Sequence, residues 1–264
     1  MDRSQESHKG ENGIVAVVGG SSDMHGAPLF SALAAEASGV DLVHVLLPHC
    51  HAEVAKSSSL NFQVHPFAGD ELNAKDTEAI LKQLASVDCA VLGPGIAHGN
   101  TSSIRALEAI IEGAVCPLVL DAAALQPTTL SLIQNKTVVL TPHLGELERM
   151  GLRPEMIGDV AAQNKVTLFL KGPIDQIALP TGEVKSIEGG NAGLSVGGTG
   201  DALAGLIAGL IGQKMAPAKA CMIAGELMKK AGEELFGDMG FAFRTKDLID
   251  QIPSLLSKTH NKNV

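Results

Sequence analysis

Short apolar runs rich in β-branched residues alternate along this chain with longer stretches rich in Ala and Leu. The first run is Ile14–Val18, which ends at Gly19-Gly20. Continuous apolar runs of this length are typical of strands buried on both faces, and the longer stretches are typical of helices. A strand–helix alternation implies right-handed crossovers. We therefore predict an α/β fold with a mainly parallel central sheet and helices on both of its faces.

The predicted elements run through most of the chain. The strands are residues 14–18, 40–47, 87–92, 118–120, 138–140 and 166–170, followed by a hairpin of 174–179 and 183–187 around Pro180-Thr181-Gly182. The helices are residues 28–38, 73–86, 101–112, 201–211, 217–236 and 245–256. No repeat, low-complexity tract or linker interrupts this order, so we predict a single domain over residues 1–264.

The amino-acid composition argues against two classes of binding partner, nucleic acids and membranes. The formal net charge is −9, aromatic residues are 3% of the chain, and Trp and Tyr are absent. Long basic runs and aromatic stacking platforms are both missing, so we expect neither nucleic-acid nor membrane binding. The four cysteines form no C-x-x-C pair, and the N-terminus has no apolar signal segment. We expect a cytoplasmic location.

Polar and glycine residues follow the predicted strands. They are Gly19-Gly20-Ser21, Gly93-Pro94-Gly95, Asp121, Thr141-Pro142-His143 and Lys171-Gly172. Each alone is also ordinary turn chemistry. In an open parallel sheet, however, ligands bind outside the carboxyl ends of the strands. Their gathering at one edge predicts a binding site there.

The strongest local signal is a glycine-rich segment, residues 191–205, that leads into an apolar helix. Glycines let several backbone N–H groups converge on an anion, and the start of a helix adds positive potential. Asp201 in this segment is either the N-cap of the helix or a general base for a hydroxyl that attacks a phosphate. Both roles can coexist.

Two common nucleotide motifs are missing. No Gly-Lys pair occurs, so the chain has no G-x-x-x-x-G-K-[ST] motif, and residues 93–99 are spaced G-x-G-x-x-x-G. The G-x-G-x-x-G spacing of dinucleotide-binding dehydrogenases is different. A Rossmann dehydrogenase is therefore not expected.

Several of these segments together resemble one family. Gly26-Ala27-Pro28, Gly93-Pro94-Gly95, residues 140–146 (Leu-Thr-Pro-His-Leu-Gly-Glu), Lys171-Gly172 and residues 197–201 (Gly-Gly-Thr-Gly-Asp) occur in the order seen in ADP/ATP-dependent NAD(P)H-hydrate dehydratases, which are ribokinase-like enzymes. The resemblance covers nearly the whole chain. It implies a ribokinase-like fold and repair of hydrated NADH or NADPH. The nucleotide phosphorylates the hydroxyl of the hydrate, and elimination of phosphate restores the dihydropyridine.

The resemblance also implies roles for individual residues. Asp201 matches the catalytic base and, with Ala27, Gly95 and His143, the hydrate-binding positions. The expected nucleotide-binding positions are Lys171, Gly172, Pro173, Ile174, Asp175, Gly198, Thr199 and Gly200. ADP is the expected co-substrate, because the unfused form and the Lys-Gly-x-x-Asp sequence are more similar to ADP-using relatives, with ATP as the alternative. Mg²⁺ is expected on the phosphates, and a homo-oligomer, a tetramer, is expected as the assembly.

Some features depart from the family pattern or leave alternatives open. Ala123 stands where relatives often have Asp, and Leu144 stands where they often have Pro. Glu146 is interpreted as a carboxylate of a helix first turn rather than as a metal ligand through water. We expect His49 and His51 to lie on one side of an extended segment, but His49-Cys50-His51 lacks a second pair of ligands, so we predict no protein metal site there. The alternative functions are a small-molecule kinase of the same superfamily and a silent nucleotide-binding regulator.

Overall fold

A nine-stranded sheet forms the centre of the computed structural model, which describes residues 6–260. The strands are β1 (Ile14–Val18), β2 (Leu42–Leu47), β3 (Phe62–Pro66), β4 (Cys89–Leu92), β5 (Leu118–Leu120), β6 (Val138–Leu140), β7 (Thr167–Leu170), β8 (Asp175–Ala178) and β9 (Val184–Ile187). Their spatial order is β3-β2-β1-β4-β5-β6-β7-β8-β9. The strands from β1 to β7 pair in parallel, whereas β8 and β9 pair antiparallel. The predicted mainly parallel sheet with its late hairpin is confirmed.

Helices cover both faces of the sheet. They are α1 (Gly26–Ala37), α2 (Ala52–Ser58), α3 (Thr77–Leu84), α4 (Thr101–Gly113), α5 (Thr129–Leu132), α6 (Leu144–Arg149), α7 (Ile157–Asn164), α8 (Thr199–Gly212), α9 (Pro217–Met239) and α10 (Thr245–His260). Within residues 6–260, no helix has both the length and the apolar character that a bilayer crossing requires.

Strand side chains alternate between two apolar cores. Val15 and Val17 of β1 join the core beneath α1, α8, α9 and α10, while Ala16 and Val18 join the core beneath α3, α4 and α7. Alternate residues of a strand point to opposite faces, so a strand buried on both sides must be apolar throughout. This explains why the strands appear in the sequence as uninterrupted apolar runs.

The closest helix contact in this framework lies between α1 and α8. A Cβ atom at Gly205 would lie 2.0 Å from the carbonyl oxygen of Ser31, and one at Gly209 would lie 2.2 Å from Ser38 Oγ. Glycine at these two positions lets the backbones approach far more closely than larger residues allow. The contact fixes α8, and with it the glycine-rich loop, against α1.

Several element boundaries differ from the predictions. The second strand begins at Leu42 rather than at residue 40, because Asp41 closes a turn by accepting the N–H groups of Gly10 and Asn12. The helix predicted over residues 73–86 spans only Thr77–Leu84. Asp76 accepts the N–H groups of Ala68 and Asn73 and holds the preceding residues in a turn. Local side-chain hydrogen bonds of this kind compete with helix and strand.

Two kinds of element were not predicted. The edge strand β3 and the short helices α2, α5 and α7 had no assignment from sequence, and α6 was anticipated only through Glu146 as a first-turn carboxylate. β3 contains one buried apolar residue, Phe62, and ends at Pro66, so its apolar pattern is weak. The short helices have too few turns to display a clear helical period.

Candidate active site

The carboxyl ends of the parallel strands β1 to β7 lie at one edge of the sheet, as predicted. The segments after β1, β4, β5, β6 and β7 carry the expected glycines and polar residues. His143 and Lys171 form a bridge between two of these segments, because the Lys171 N–H donates to the Pro142 carbonyl oxygen over 2.8 Å. The residues singled out at the strand ends therefore lie side by side.

The glycine-rich segment becomes helical immediately after Gly198. Gly198 has φ +97° and is the N-cap of α8, and a Cβ there would lie 2.4 Å from the Phe30 ring. Both the left-handed conformation and the contact require glycine. Asp201 lies in the first turn of α8, so the interpretation of Asp201 as the N-cap is wrong. The carboxylate instead stands beside the free N–H groups of a helix start.

Lys171 lies among three acidic side chains. We call the group of Lys171, Asp121, Glu146 and Asp201 the Lys171 cluster. Lys171 Nζ lies 2.7 Å from Asp121 Oδ1 and 3.5 Å from Glu146 Oε2. Asp121 Oδ1 also accepts a hydrogen bond of 2.9 Å from Thr141 Oγ1. Burial opposes the charge on Lys171, but Asp121 and Glu146 outweigh it and raise the Lys171 pKa. The ammonium therefore remains charged.

Asp201 is a half-buried member of the Lys171 cluster. Burial, reinforced by the negative charges of Asp121 and Glu146, raises the Asp201 pKa to about 7, although Lys171 acts in the opposite direction. Three carboxylates share one ammonium, so ionisation of the third is opposed. A carboxyl group with this pKa takes up and releases a proton near neutral pH, which is the property that a general base needs.

His143 and Glu146 form a capping box at the start of α6. The His143 N–H donates to Glu146 Oε2 over 2.8 Å, and the Glu146 N–H donates to His143 Nδ1 over 3.3 Å. The interpretation of Glu146 as a helix first-turn carboxylate is confirmed. Because Nδ1 is the acceptor, the proton of a neutral His143 ring lies on Nε2. The ring is more than half exposed.

A cavity of about 680 Å³ opens between the start of α8, the middle of α9 and the loops after β7 and β9. Seven of the predicted residues line it: His143, Lys171, Gly172, Pro173, Asp175, Thr199 and Gly200. Part of its lining is apolar, with Leu194, Leu203 and Met228. A volume of this size is typical of small-molecule sites.

Lys229 of α9 forms hydrogen bonds with two loops that line this cavity. Its buried ammonium donates to the carbonyl oxygens of Pro173, over 2.9 Å, and Gly189, over 3.3 Å. It also lies 3.3 Å from Asp175 Oδ2. The loop after β7 and the loop after β9 are thereby held to one helix.

Ala27 and Gly95 lie apart from the cavity, in the direction of β1 and β4. Gly95 has φ +72°, and a Cβ there would lie 3.2 Å from Ala27 Cβ. The two residues are therefore in contact. Asp201 is joined to this side through its backbone, because Ser31 Oγ of α1 donates to the Asp201 carbonyl oxygen.

Comparison with known proteins decides the family. The family model described as NAD(P)H-hydrate dehydratase matches residues 15–254. The chain belongs to the NAD(P)H-hydrate dehydratase family.

Two full-length relatives and one solved structure illustrate this membership. The chain is 33% identical to the ADP-dependent (S)-NAD(P)H-hydrate dehydratase of Cenarchaeum symbiosum, over 96% of this chain and 92% of the relative. It is 34% identical, with the same coverages, to the enzyme of that name from Nitrosopumilus maritimus. A crystal structure of the Bacillus subtilis ADP/ATP-dependent NAD(P)H-hydrate dehydratase, co-crystallised with ATP/Mg²⁺, aligns with a TM-score of 0.77 at 27% identity, covering 97% of this chain and 93% of that one.

The fold is ribokinase-like, as expected. The ribokinase of Thermotoga maritima aligns with a TM-score of 0.63 over 93% of this chain and 99% of that chain, at 11% identity. This likeness concerns the fold alone.

The dehydratase-family sequence motifs do not account for every residue at the site. Ile174 and Gly198 were expected at the nucleotide, but neither lines the cavity, and Ile174 is half exposed. Gly189, Gly190, Asn191 and Lys229 line the cavity and were missed. The Gly-Gly-Asn sequence before the glycine-rich loop was an available signal, whereas a lysine within a long helix gives none.

The two departures from the dehydratase-family pattern occupy different surroundings. Ala123 is fully buried in the core beneath α4, and Leu144 is half exposed at the start of α6.

Residues 49–51 form a helical turn rather than an extended segment, so the expectation that His49 and His51 share one side of an extended chain is wrong. His51 Nε2 lies 3.0 Å from the carbonyl oxygens of Ser21 and Ser22.

Proposed function

We propose that this chain is an ADP-dependent dehydratase of hydrated NADH and NADPH. The observation that carries the proposal is the position of Asp201 in the first turn of α8, where burial and the charges of Asp121 and Glu146 raise its pKa to about 7. One side of that turn faces the cavity, which we assign to ADP. The other side lies toward Ala27 and Gly95, where we place the damaged nicotinamide ring.

In the proposed reaction Asp201 accepts the proton of the hydrate hydroxyl. The hydroxyl oxygen attacks the terminal phosphorus of ADP, and the bond to the bridging oxygen breaks to leave AMP. The ring nitrogen lone pair then expels phosphate from the adjacent carbon, and loss of a proton from the next carbon restores the dihydropyridine. Phosphorylation is needed because hydroxide is a poor leaving group and phosphate is a good one.

Lys171 and the start of α8 are proposed to stabilise the transferred phosphoryl group. The ammonium reaches the first turn closely, since a Cβ at Gly200 would lie 3.3 Å from Lys171 Nζ. Charged donors and free N–H groups aimed at developing negative charge lower the barrier to phosphoryl transfer. We further propose that Gly172, Pro173, Asp175 and Thr199 contact the nucleotide, with Ile174 and Gly198 shaping their loops.

The side chains present do not form a magnesium site of their own. Within the described residues, no group of three His, Cys, Asp or Glu side chains is arranged to hold a metal ion. Asp121 and Glu146 are instead bound to the Lys171 ammonium. The proposed reaction therefore uses no magnesium ligand from the protein, and attachment of the ion to the nucleotide phosphates remains a prediction. The cytoplasmic location, the single domain and the tetramer also remain predictions.

The test is an assay of purified protein with hydrated NADH, magnesium and either ADP or ATP. We expect NADH absorbance to recover, free phosphate to appear, and ADP to support the faster rate. Asp201→Asn should reduce turnover by roughly a thousandfold while the far-UV circular dichroism is unchanged. A stable phosphorylated product without NADH recovery would instead identify a small-molecule kinase. Nucleotide binding without turnover of any hydrate would identify a regulator.

A further inference from the structure

Arg149, the last residue of α6, is a half-buried guanidinium with no carboxylate partner among the described residues. Its Nη1 lies 3.3 Å from His98 Nδ1 and 3.4 Å from the carbonyl oxygen of Ala122. The formal net charge of the chain is −9, and cations such as Lys171, Lys229 and Arg244 do have acidic partners. An arginine left without one beside a binding site is suited to an anionic ligand.

His98 supports this interpretation through its ring orientation. Arg149 donates to Nδ1, so the remaining ring proton of His98 lies on Nε2 and is available as a second donor. Burial, followed by the charge of Arg149, lowers the His98 pKa. The ring therefore stays neutral near pH 7, while the guanidinium next to it stays charged.

The position of this pair places it on the substrate side of the site. His98 follows β4, Ala122 follows β5, and Arg149 ends the helix after β6. The cavity assigned to ADP lies further along the row of strand carboxyl ends, beside β7, β8 and β9. Ala122 directly follows Asp121, which binds Lys171. The pair is thus carried by the segments after β4, β5 and β6, and neither Arg149 nor His98 lines the nucleotide cavity.

We propose that Arg149 and His98 form a subsite for a phosphate group of the dinucleotide substrate. This inference rests on the proposed function. A hydrated NADH molecule is longer than its reacting ring and carries a pyrophosphate, while NADPH carries an additional phosphate on the adenosine ribose. A planar guanidinium with a neighbouring N–H donor suits either group. The reacting ring is then anchored by contacts remote from the bond that changes.

The test compares Arg149→Gln with Arg149→Lys and with Arg153→Gln as the matched control. Arg153 is exposed, lies four residues further along the chain and pairs with Glu155. Binding of NADH and NADPH is followed by their fluorescence without ADP, and KM is then measured for both hydrates. We expect Arg149→Gln to weaken NADH binding and raise the hydrate KM by roughly tenfold or more, with an unchanged ADP KM. Arg149→Lys should lose less, and Arg153→Gln nothing.

The outcomes separate this inference from the proposed function. Equal losses for NADH and NADPH assign the pyrophosphate, and a larger loss for NADPH assigns the ribose phosphate. Unchanged Kd values for both in Arg149→Gln, or a rise confined to the ADP KM, overturn the subsite. A fall in thermal stability without any change in binding would show that Arg149 serves only the end of α6. Arg149-dependent NADH binding in a protein that turns over no hydrate would defeat the proposed function and leave the subsite standing.

Discussion

Ser31 Oγ donates a hydrogen bond of 2.8 Å to the backbone carbonyl oxygen of Asp201. The bond joins α1, whose first turn contains Ala27, to α8, whose first turn carries the proposed base. A base must be held within hydrogen-bond reach of the proton that it removes. The two helices that flank the proposed reaction centre are thus connected directly at the proposed base.

The rate of the proposed reaction should increase with pH through neutrality. The ionised form of Asp201 is the active base, and its pKa is raised to about 7. At one pH unit below that pKa, kcat/KM should fall to about a tenth of its plateau. The measurement is the initial rate between pH 5 and pH 9 at constant ionic strength. A flat profile across neutrality would contradict the assigned role.

Replacement of Asp121 by Asn should move this pH profile to lower pH. The charge of Asp121 is, after burial, the largest cause of the raised Asp201 pKa. Its removal leaves fewer carboxylates to oppose ionisation of Asp201. The apparent pKa of kcat/KM should therefore decrease. Asp250→Asn on the exposed face of α10 is the control and should leave the profile unchanged.

Asp201→Asn should make the folded protein more stable at pH 8. The folded-state pKa of Asp201 lies above its unfolded value, so ionisation of Asp201 opposes folding. This cost is absent below about pH 4, grows between about pH 4 and pH 7, and is complete above that range. The gain in the variant should follow the same course and reach a few kcal/mol at most. Urea unfolding of both proteins at pH 4.5 and 8 measures it.

The sheet, its direction and the edge that carries the site could all be predicted from sequence. Buried parallel strands such as Ile14–Val18 appear as uninterrupted apolar runs, and the order of strands and helices fixes where their carboxyl ends meet. The edge strand Phe62–Pro66 could not be predicted from sequence, because only Phe62 is buried there. A strand with few buried side chains shows little apolar pattern in its sequence.

The internal contacts of the site were less accessible from sequence. The segment that contains Lys171 was expected to bind nucleotide, but its ion pair with Asp121 joins residues that are fifty positions apart. Lys229 was not expected at all, since a lysine in a 23-residue helix resembles a solvated side chain. Such pairings depend on tertiary contacts, which no local pattern encodes.

Lys229→Met should weaken ADP binding with little effect on kcat at saturating ADP. The substitution removes the hydrogen bonds to Pro173 and Gly189, so both loops of the cavity lose their common attachment. It also leaves the carboxylate of Asp175 without its cation. We expect the ADP KM to increase roughly tenfold. The hydrate KM should stay the same, because that substrate is assigned to the other end of the edge.

Lys230→Met is the matched control for this prediction. Lys230 is the next residue of α9, is half exposed and contacts Glu234. Exposed ion pairs of this kind contribute little to stability. An equal change in ADP KM for both variants would show that the effect comes from the helix in general rather than from the loops.

Gly205→Ala should destabilise the protein and reduce its activity together. The added Cβ would lie 2.0 Å from the Ser31 carbonyl oxygen, so α1 and α8 must separate. Forced displacement of packed backbone typically costs about 1–3 kcal/mol. Separation of the helices also stretches the hydrogen bond from Ser31 Oγ to the Asp201 carbonyl oxygen, which should lower kcat at temperatures where the variant is still folded.

Gly237→Ala on α9 is the matched control, since a Cβ there meets no atom within 4 Å. That change should instead stabilise by up to about 1 kcal/mol, because alanine is the better helix former, and should leave kcat unchanged. If Gly205→Ala melts at the wild-type temperature with full activity, the contact between the two helices does not position Asp201.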